Sequence, residues 1–396
     1  MSEPTATPTG MDRPRGGLAA MCVAQTTSWG LLFYSLPAAV APISQETGWS
    51  DTAITGALSA GLVVSAIAGL KVGSVLDSRG PRTVMTLGAV IGVVALALVA
   101  WSPTLPLFYL AWLVAGFAQS AVLYPPAFAV ITRWYGPRRV RPLMTLTLVA
   151  GLSSTIFAPL TAYLIEQFGW RTSYLIMAGI LAAVSVPLHA LFLNSTWSDT
   201  GSEPTVQQAR DEIRKVTRTR QFITLQVAMT VATFTLFAVT INLIPLLLER
   251  GIGYSTAALA FGLVGAGQVI GRLGYPPLAR RTTARQRTLV ILGAGALGLW
   301  GLAAVPGPTW LLIALAVGIG AARGCHTLLQ ATAVSDRWGT QNFGAINALF
   351  NAPMTAVTAL APVSGPLLAG LVGGYPAMAI IMAVLLTVAA ALGTRT

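Results

Sequence analysis

Runs of about twenty apolar residues, repeated along the chain, restrict most what this sequence can become. A helix rises ~1.5 Å per residue, so a run of ~20 matches the hydrocarbon thickness of a bilayer. Such runs occupy residues 18–40, 52–76, 83–101, 106–130, 141–164 and 172–193, then 220–248, 256–279, 287–305, 309–333, 342–371 and 375–392. Only 9% of the residues are charged, against roughly a quarter in soluble domains. So few charges cannot hydrate a water-facing surface of this size. Lipid offers no hydrogen bonds to the backbone, so each span must satisfy its own polar groups as a helix. The expected fold class is an all-α membrane protein of twelve transmembrane helices. The many Gly and Pro inside the runs fit this, because neighbouring helices re-satisfy the backbone groups they free.

The segments between the runs set the organisation. Residues 1–17 are polar and rich in Pro and Thr, and are expected to form a disordered tail rather than a signal n-region. Residues 194–219 hold Asp199, Glu203, Arg210, Asp211, Glu212, Arg214 and Lys215, and are expected to link two six-helix bundles at 18–193 and 220–396. With the N-terminus placed in the cytoplasm, only Arg171 and Arg250 of the 24 basic residues fall in outer loops. Lys71, Arg272 and Arg323 fall within helices, and every other Lys and Arg lies on the cytoplasmic side. That bias predicts both termini inside, in a cytoplasmic (inner) membrane, and an even number of helices. It also accounts for the formal charge of +12 without a nucleic-acid partner. Cys22 and Cys325 both fall in apolar runs and read as packing residues.

The two bundles repeat. Gly48-Trp49-Ser50 precedes the second run and Gly253-Tyr254-Ser255 the eighth; Gly169-Trp170-Arg171 precedes the sixth and Gly374-Tyr375-Pro376 the twelfth. The two matches share one offset, which argues for a duplicated six-helix unit. Carriers built this way hold their solute near the midplane, between halves that rock against each other.

The loop after the second run carries a more specific mark. Gly73, Asp77, Gly80 and Arg82 stand in the order Gly-Ser-Val-Leu-Asp-Ser-Arg-Gly-Pro-Arg. In this the chain resembles the major facilitator superfamily. The second-half copy, Tyr275 to Arg281, keeps the basic end but not the acid. Gly48-Trp49-Ser50, Arg133-Trp134-Tyr135 with Arg138-Arg139, Gly169-Trp170-Arg171 and Gly271-Arg272 look like the branch holding monocarboxylate carriers and oxalate–formate exchangers. The resemblance implies a cavity lined by helices 1, 4, 7 and 10, with 2, 5, 8 and 11 beside them. It implies that Arg272 is the branch's carboxylate-binding arginine. It also implies a gating motif of Gly73, Asp77, Gly80 and Arg82, with Arg133 and Arg138 as partners for Asp77. There are departures. Neither helix 1 nor helix 11 carries a basic residue, and Gln268 stands where animal carriers of this branch have an aspartate.

Ionisable groups inside a membrane are costly, about 2.5–3.5 kcal/mol each on insertion scales, so they mark function by default. Arg272 lies eight residues before Arg280, about 12 Å deep. Arg323 lies near the middle of helix 10, with His326 and Gln330 following at helical spacing on one face. No Asp or Glu lies well inside any expected helix. Unpaired cations facing a cavity attract an anion, and a guanidinium can clasp a carboxylate with two hydrogen bonds. Each arginine also has a structural alternative: a gate or packing role for Arg272, a buried network for Arg323. His326 is a candidate proton carrier. Lys71 reads as a snorkelling residue and His189 as interfacial. Tyr34, Gln119, Tyr124, Asn242, Gln268 and Asn351 complete the candidate substrate contacts, although any of them can instead join helix to helix. Gln25, Trp29 and Asn347 also lie inside helices, and Tyr124-Pro125-Pro126 is expected to break helix 4.

Glycine clusters such as 262–267 sit mid-helix and lack a Walker lysine, so no nucleotide site is expected. Neither a metal, a cofactor nor a catalytic constellation is expected either. The sequence reads as a secondary transporter, not an enzyme. Its cargo is expected to be a small organic anion such as a monocarboxylate, moved with a proton or against a counter-anion by a monomer in contact with lipid. Export of drugs or other amphipathic compounds is one alternative; a transporter-like membrane sensor is another.

Overall fold

The computed structural model describes residues 14–194, 214–338 and 343–394. The tail to residue 13, linker residues 195–213, and the side chains of Asp77, Pro137 and 343–345 lie outside the described residues. Everything described is helix, turn or short connection. Numbering the crossings in chain order gives α1 (17–47), α2 (Asp51–Leu76), α3 (Ser78–Ala100), α4 (Leu105–Tyr135), α5 (140–168), α6 (170–192), α7 (220–249), α8 (Tyr254–Arg281), α9 (Ala284–Ala304), α10 (Thr309–Thr332), α11 (Phe343–Val372) and α12 (Tyr375–Gly393). Large apolar side chains such as Leu70, Leu297, Trp310 and Leu371 stand exposed on the outer surface, as lipid-facing positions require.

Two junctions explain how the chain turns between crossings. Gly80 (φ 77°) breaks the helix in the first turn of α3, where the chain bends back from α2, and Gly169 (φ 71°) separates α5 from α6. That left-handed backbone is open to glycine and strained for other residues. Elsewhere starts are capped: Ser50 accepts from Ala53 N–H, Thr219 from Phe222 N–H, and Thr283 and Gln286 form a capping box on α9.

Several helices run longer than the sequence suggests and are broken where it does not show. α1 contains a π-helical turn at Gly30–Tyr34 and continues to Thr47. α4 breaks at Leu123, just before Tyr124-Pro125-Pro126, as expected. α5 is interrupted at Gly151 and Leu152, which no proline announces.

An even number of crossings puts both described ends on one face, the terminal face. On the opposite face, helices from the two ends of the chain are tied together. The Tyr254 hydroxyl on α8 donates to the Ala38 carbonyl on α1 (2.6 Å), Ser255 bonds Glu166 at the end of α5, and the Tyr375 hydroxyl on α12 donates to Asp51 on α2 (3.3 Å). Two arginines cap helix ends there. Arg171 donates to the carbonyls of Ala100 and Ser102 at the end of α3, and Arg250 to Ala303 and Val305 at the end of α9. Free carbonyls and the negative end of the dipole make each helix C-terminus a good seat for a cation.

Candidate functional site

α8 and α10 are pressed together by glycine. A Cβ on Gly267 or Gly271 would lie 2.2 or 2.0 Å from the carbonyls of Val317 and Ala321, and one on Gly320 or Gly324 would lie 2.2 Å from those of Val264 and Gln268. Glycines four apart on both helices let the backbones touch, as small-residue seams do in membranes. The charged residues follow the glycines directly in sequence or precede them: Arg272 after Gly271, Arg323 before Gly324. The seam therefore brings both guanidiniums to the same side of the helix pair.

They line one cavity of about 210 Å³. Its wall comprises Trp29 and Tyr34 on α1, Tyr124 on α4, Ala150 and Gly151 on α5, Thr233 and Phe237 on α7, and Gln268 and Arg272 on α8. Arg323, His326, Thr327 and Gln330 on α10 and Met354, Thr355 and Thr358 on α11 complete it. Among the described residues, no carboxylate lines it. Arg272 donates to the Thr147 carbonyl across the α5 break, and its Nε has no partner. A Cβ on Gly151 would lie 2.7 Å from Arg272 Nη1, so the glycine in the break makes room for this arginine. The Arg323 guanidinium lies 3.7 Å over the Phe237 ring, and its Nη1 has no partner. Tyr124 faces Arg272 and Tyr34 faces Arg323, while the two arginines are close enough to feel each other's charge. Both arginines and His326 are buried. Two cations in one low-dielectric site, without an acid, leave a field for an anion to fill.

Six of the expected contact residues meet here: Tyr34, Tyr124, Gln268, Arg272, Arg323 and His326. Three do not line the cavity. The Gln119 amide donates to the Leu32 carbonyl (2.7 Å) in the π turn of α1. Its counterpart Gln25, on α1, donates to the Val122 carbonyl. Pro126 has no N–H to give Val122, and Pro37 has none to give the carbonyls of the π turn, so each glutamine satisfies an acceptor left by the other helix's irregularity. Asn242 sits at the break in α7, donates to Ala238 (2.9 Å) and packs against Gly365 on α11. Asn351 accepts from Gln330 (2.6 Å) and donates to Asn347, joining α10 to α11 behind the wall.

The loop motif divides similarly. Gly73 has open space around it, Gly80 makes the bend, and Arg82 and Arg138 are exposed. Arg133 is half-buried, and the Asp77 side chain lies outside the described residues. Lys71 is exposed, in keeping with snorkelling. His189, near the end of α6, is fully buried against α3, with Nδ1 3.1 Å from the Met85 carbonyl. Thr233, Phe237, Thr327, Met354, Thr355 and Thr358 join the wall without any sequence signal that separates them from packing residues.

A polytopic all-helical protein with a polar cavity enclosed by helices from both ends of its chain has the build of a solute carrier. Residues 19–362 match the family model of the Major Facilitator Superfamily, and the chain belongs to that family of secondary transporters. It is 30% identical to monocarboxylate transporter 11 of Homo sapiens over 323 residues, covering 76% of this chain and 64% of that protein. It is 24% identical to monocarboxylate transporter 13 of Bos taurus, covering 62% and 55%. The chain thus spans under two thirds of the length of either relative. In fold it is similar to an inward-facing, unoccupied bacterial homologue of the human lysosomal transporter Spinster (TM-score 0.74, 14% identity, 96% of each chain). It is equally similar to the nucleoside transporter NupG (TM-score 0.74, 14% identity, 96% and 98%).

Proposed function

We propose that this protein carries a small organic anion, a monocarboxylate, by alternating access. The observation that carries this reading is the cavity wall: two buried arginines, each with a guanidinium nitrogen left unpartnered, and among the described residues no carboxylate. Keeping such cations in a low-dielectric site costs several kcal/mol unless a counter-charge arrives. A carboxylate supplies it, with Arg272 and Arg323 donating from two helices. The similarity to monocarboxylate transporters of Homo sapiens and Bos taurus supports the same class. Size supports it too. At about 210 Å³ the cavity is smaller than the ~300–1,000 Å³ typical of sites for drug-sized ligands, which disfavours export of amphipathic compounds.

The direction of opening follows from orientation. We assign the terminal face to the cytoplasm, because nearly all basic residues of the loops lie there. The contacts of Tyr254, Ser255 and Tyr375 then close the outer end, giving an inward-facing state. Rocking outward must break these bonds and close the cytoplasmic end, where Gly73, Asp77, Gly80, Arg82, Arg133 and Arg138 act as the gate. Proton symport and anion exchange both remain compatible with this site.

The test is uptake of labelled short-chain carboxylates into proteoliposomes. Wild-type protein takes them up, and Arg272→Ala and Arg323→Ala reduce uptake at least tenfold. Equal uptake by wild type and both variants overturns the reading.

A further inference from the structure

We infer that an anionic phospholipid of the cytoplasmic leaflet seats between the start of α5 and the end of α8, one helix from each half of the chain. The site lies outside the cargo cavity and does not depend on what the cavity carries. The two helices run antiparallel in one register. Ser255 bonds Glu166 near the outer end, Thr155 donates to the Gly262 carbonyl (2.8 Å), and Arg272 donates to the Thr147 carbonyl. Followed toward the cytoplasm, that register sets Val149 level with Ile270 and brings Arg139 and Arg141 toward Arg280 and Arg281. Both helices show the same pattern to the lipid. On α5, Val149 and Thr145 lead to Arg141; on α8, Ile270, Leu273 and Pro277 lead to Arg281, and all are exposed. Steps of three or four residues keep each set on one side of its helix. A largely apolar wall that ends in cations at the membrane surface fits a phospholipid, with the chain along the wall and the phosphate at the arginines.

The helix dipoles show why an anion is needed there. Arg280 and Arg281 close α8, where the negative end of the dipole favours cations. Arg139 and Arg141 open α5, where the dipole is positive and cations are unfavourable. No side chain caps that start, whereas Ser50, Thr219 and Thr283 cap the starts of α2, α7 and α9. Residues 138–150 and 270–290 contain no Asp or Glu, so neither segment supplies the missing negative charge. A lipid phosphate supplies it, accepting from the uncapped N–H groups and from guanidiniums of both helices. It also screens cations that closure of the cytoplasmic end would otherwise press together.

The experiment is a thermal-shift titration of the purified full-length protein in detergent with dioctanoyl phosphatidylglycerol. Dioctanoyl phosphatidylcholine and inorganic phosphate are compared at equal concentration. Phosphatidylglycerol is expected to raise the melting temperature with dose, because a ligand of the folded state stabilises it by mass action. Phosphatidylcholine, neutral overall, and inorganic phosphate, which has no chain, are expected to leave it unchanged. Arg141→Gln with Arg281→Gln is expected to lose the shift; both side chains are exposed, so the packing is kept. Arg214→Gln with Arg218→Gln removes equal charge at exposed positions ahead of α7 and is expected to keep it. Arg272→Ala is expected to keep it as well, which separates this site from the cargo cavity. The inference is overturned if phosphatidylglycerol gives no shift, if phosphatidylcholine acts like it, or if the two double variants respond alike. If inorganic phosphate matches phosphatidylglycerol, the arginines hold a free anion and the lipid is overturned. Should the Arg141 and Arg281 variant fail to fold, Arg139→Gln with Arg280→Gln makes the same test.

Discussion

The helix pairs α1–α4 and α8–α10 both border the cavity, and they are held together by opposite means. α1 and α4 are irregular, with a π turn in one and a proline break in the other. Their glutamines, Gln25 and Gln119, donate across the pair to the carbonyls of Val122 and Leu32. The α8–α10 pair is joined by regular helices whose glycines let the backbones touch, with Tyr275–Thr332 (2.7 Å) and Cys325–Gly271 (3.0 Å) bonds beside the seam, so the polar side chains at the cavity are left over from cohesion. Arg272, Arg323, Gln268 and His326 therefore face the cavity. The difference teaches that a polar residue in a membrane helix is available for a ligand only when something else holds the helices.

Substitutions can break or sharpen this contrast. The largest effect is expected from Gly271→Leu, which drives a side chain into the Ala321 backbone. It should prevent recovery of folded protein altogether, measured by monodispersity in detergent. Next is Arg272→Ala, which keeps the seam and removes a charged donor. Loss of one partner of a buried charge pair costs about 2–5 kcal/mol, so carboxylate KM should rise by at least about thirtyfold with melting temperature little changed. Arg272→Lys should recover only part, because an ammonium lacks the planar fork. Gln119→Leu should do the reverse. It strands the Leu32 carbonyl and costs about 1–3 kcal/mol of stability, seen as a lower melting temperature, with KM moving by less than about threefold. If Gln119→Leu raises KM as much as Arg272→Ala does, the contrast between the pairs is wrong. The smallest effect is expected from Glu46→Gln at the exposed Arg171 pair (3.3 Å). Such pairs contribute under about 1 kcal/mol, and Arg171 keeps its bonds to Ala100 and Ser102.

Reading the site from sequence separates along the same line. The deep ionisable residues were legible because charge in lipid is rare and conspicuous. The amides were not. Gln268 and Gln119 look alike in sequence, each an uncharged polar residue inside an apolar run, yet one lines the cavity and the other bonds a backbone carbonyl. Asn242 and Asn351 failed to reach the cavity for the same reason: each found an acceptor or donor on an adjoining turn or helix. The break at Gly151, which seats Arg272, carries no proline to announce it.

What the sequence by itself determined is the solvent and the architecture. Runs of apolar residues too long for a soluble core, too poor in charge for water, and confined to helices by the backbone's own hydrogen bonds leave a polytopic bundle as the outcome. It also determined the sign of the site, because two deep arginines without deep acids are visible as letters. The tertiary structure alone decided which polar groups remain free. Whether an amide or a hydroxyl is satisfied depends on carbonyls presented by other helices, often about a hundred residues away, and on glycine seams that set how closely those helices approach. Hydrogen-bond satisfaction is a property of neighbours in space, and no local pattern along the chain records it.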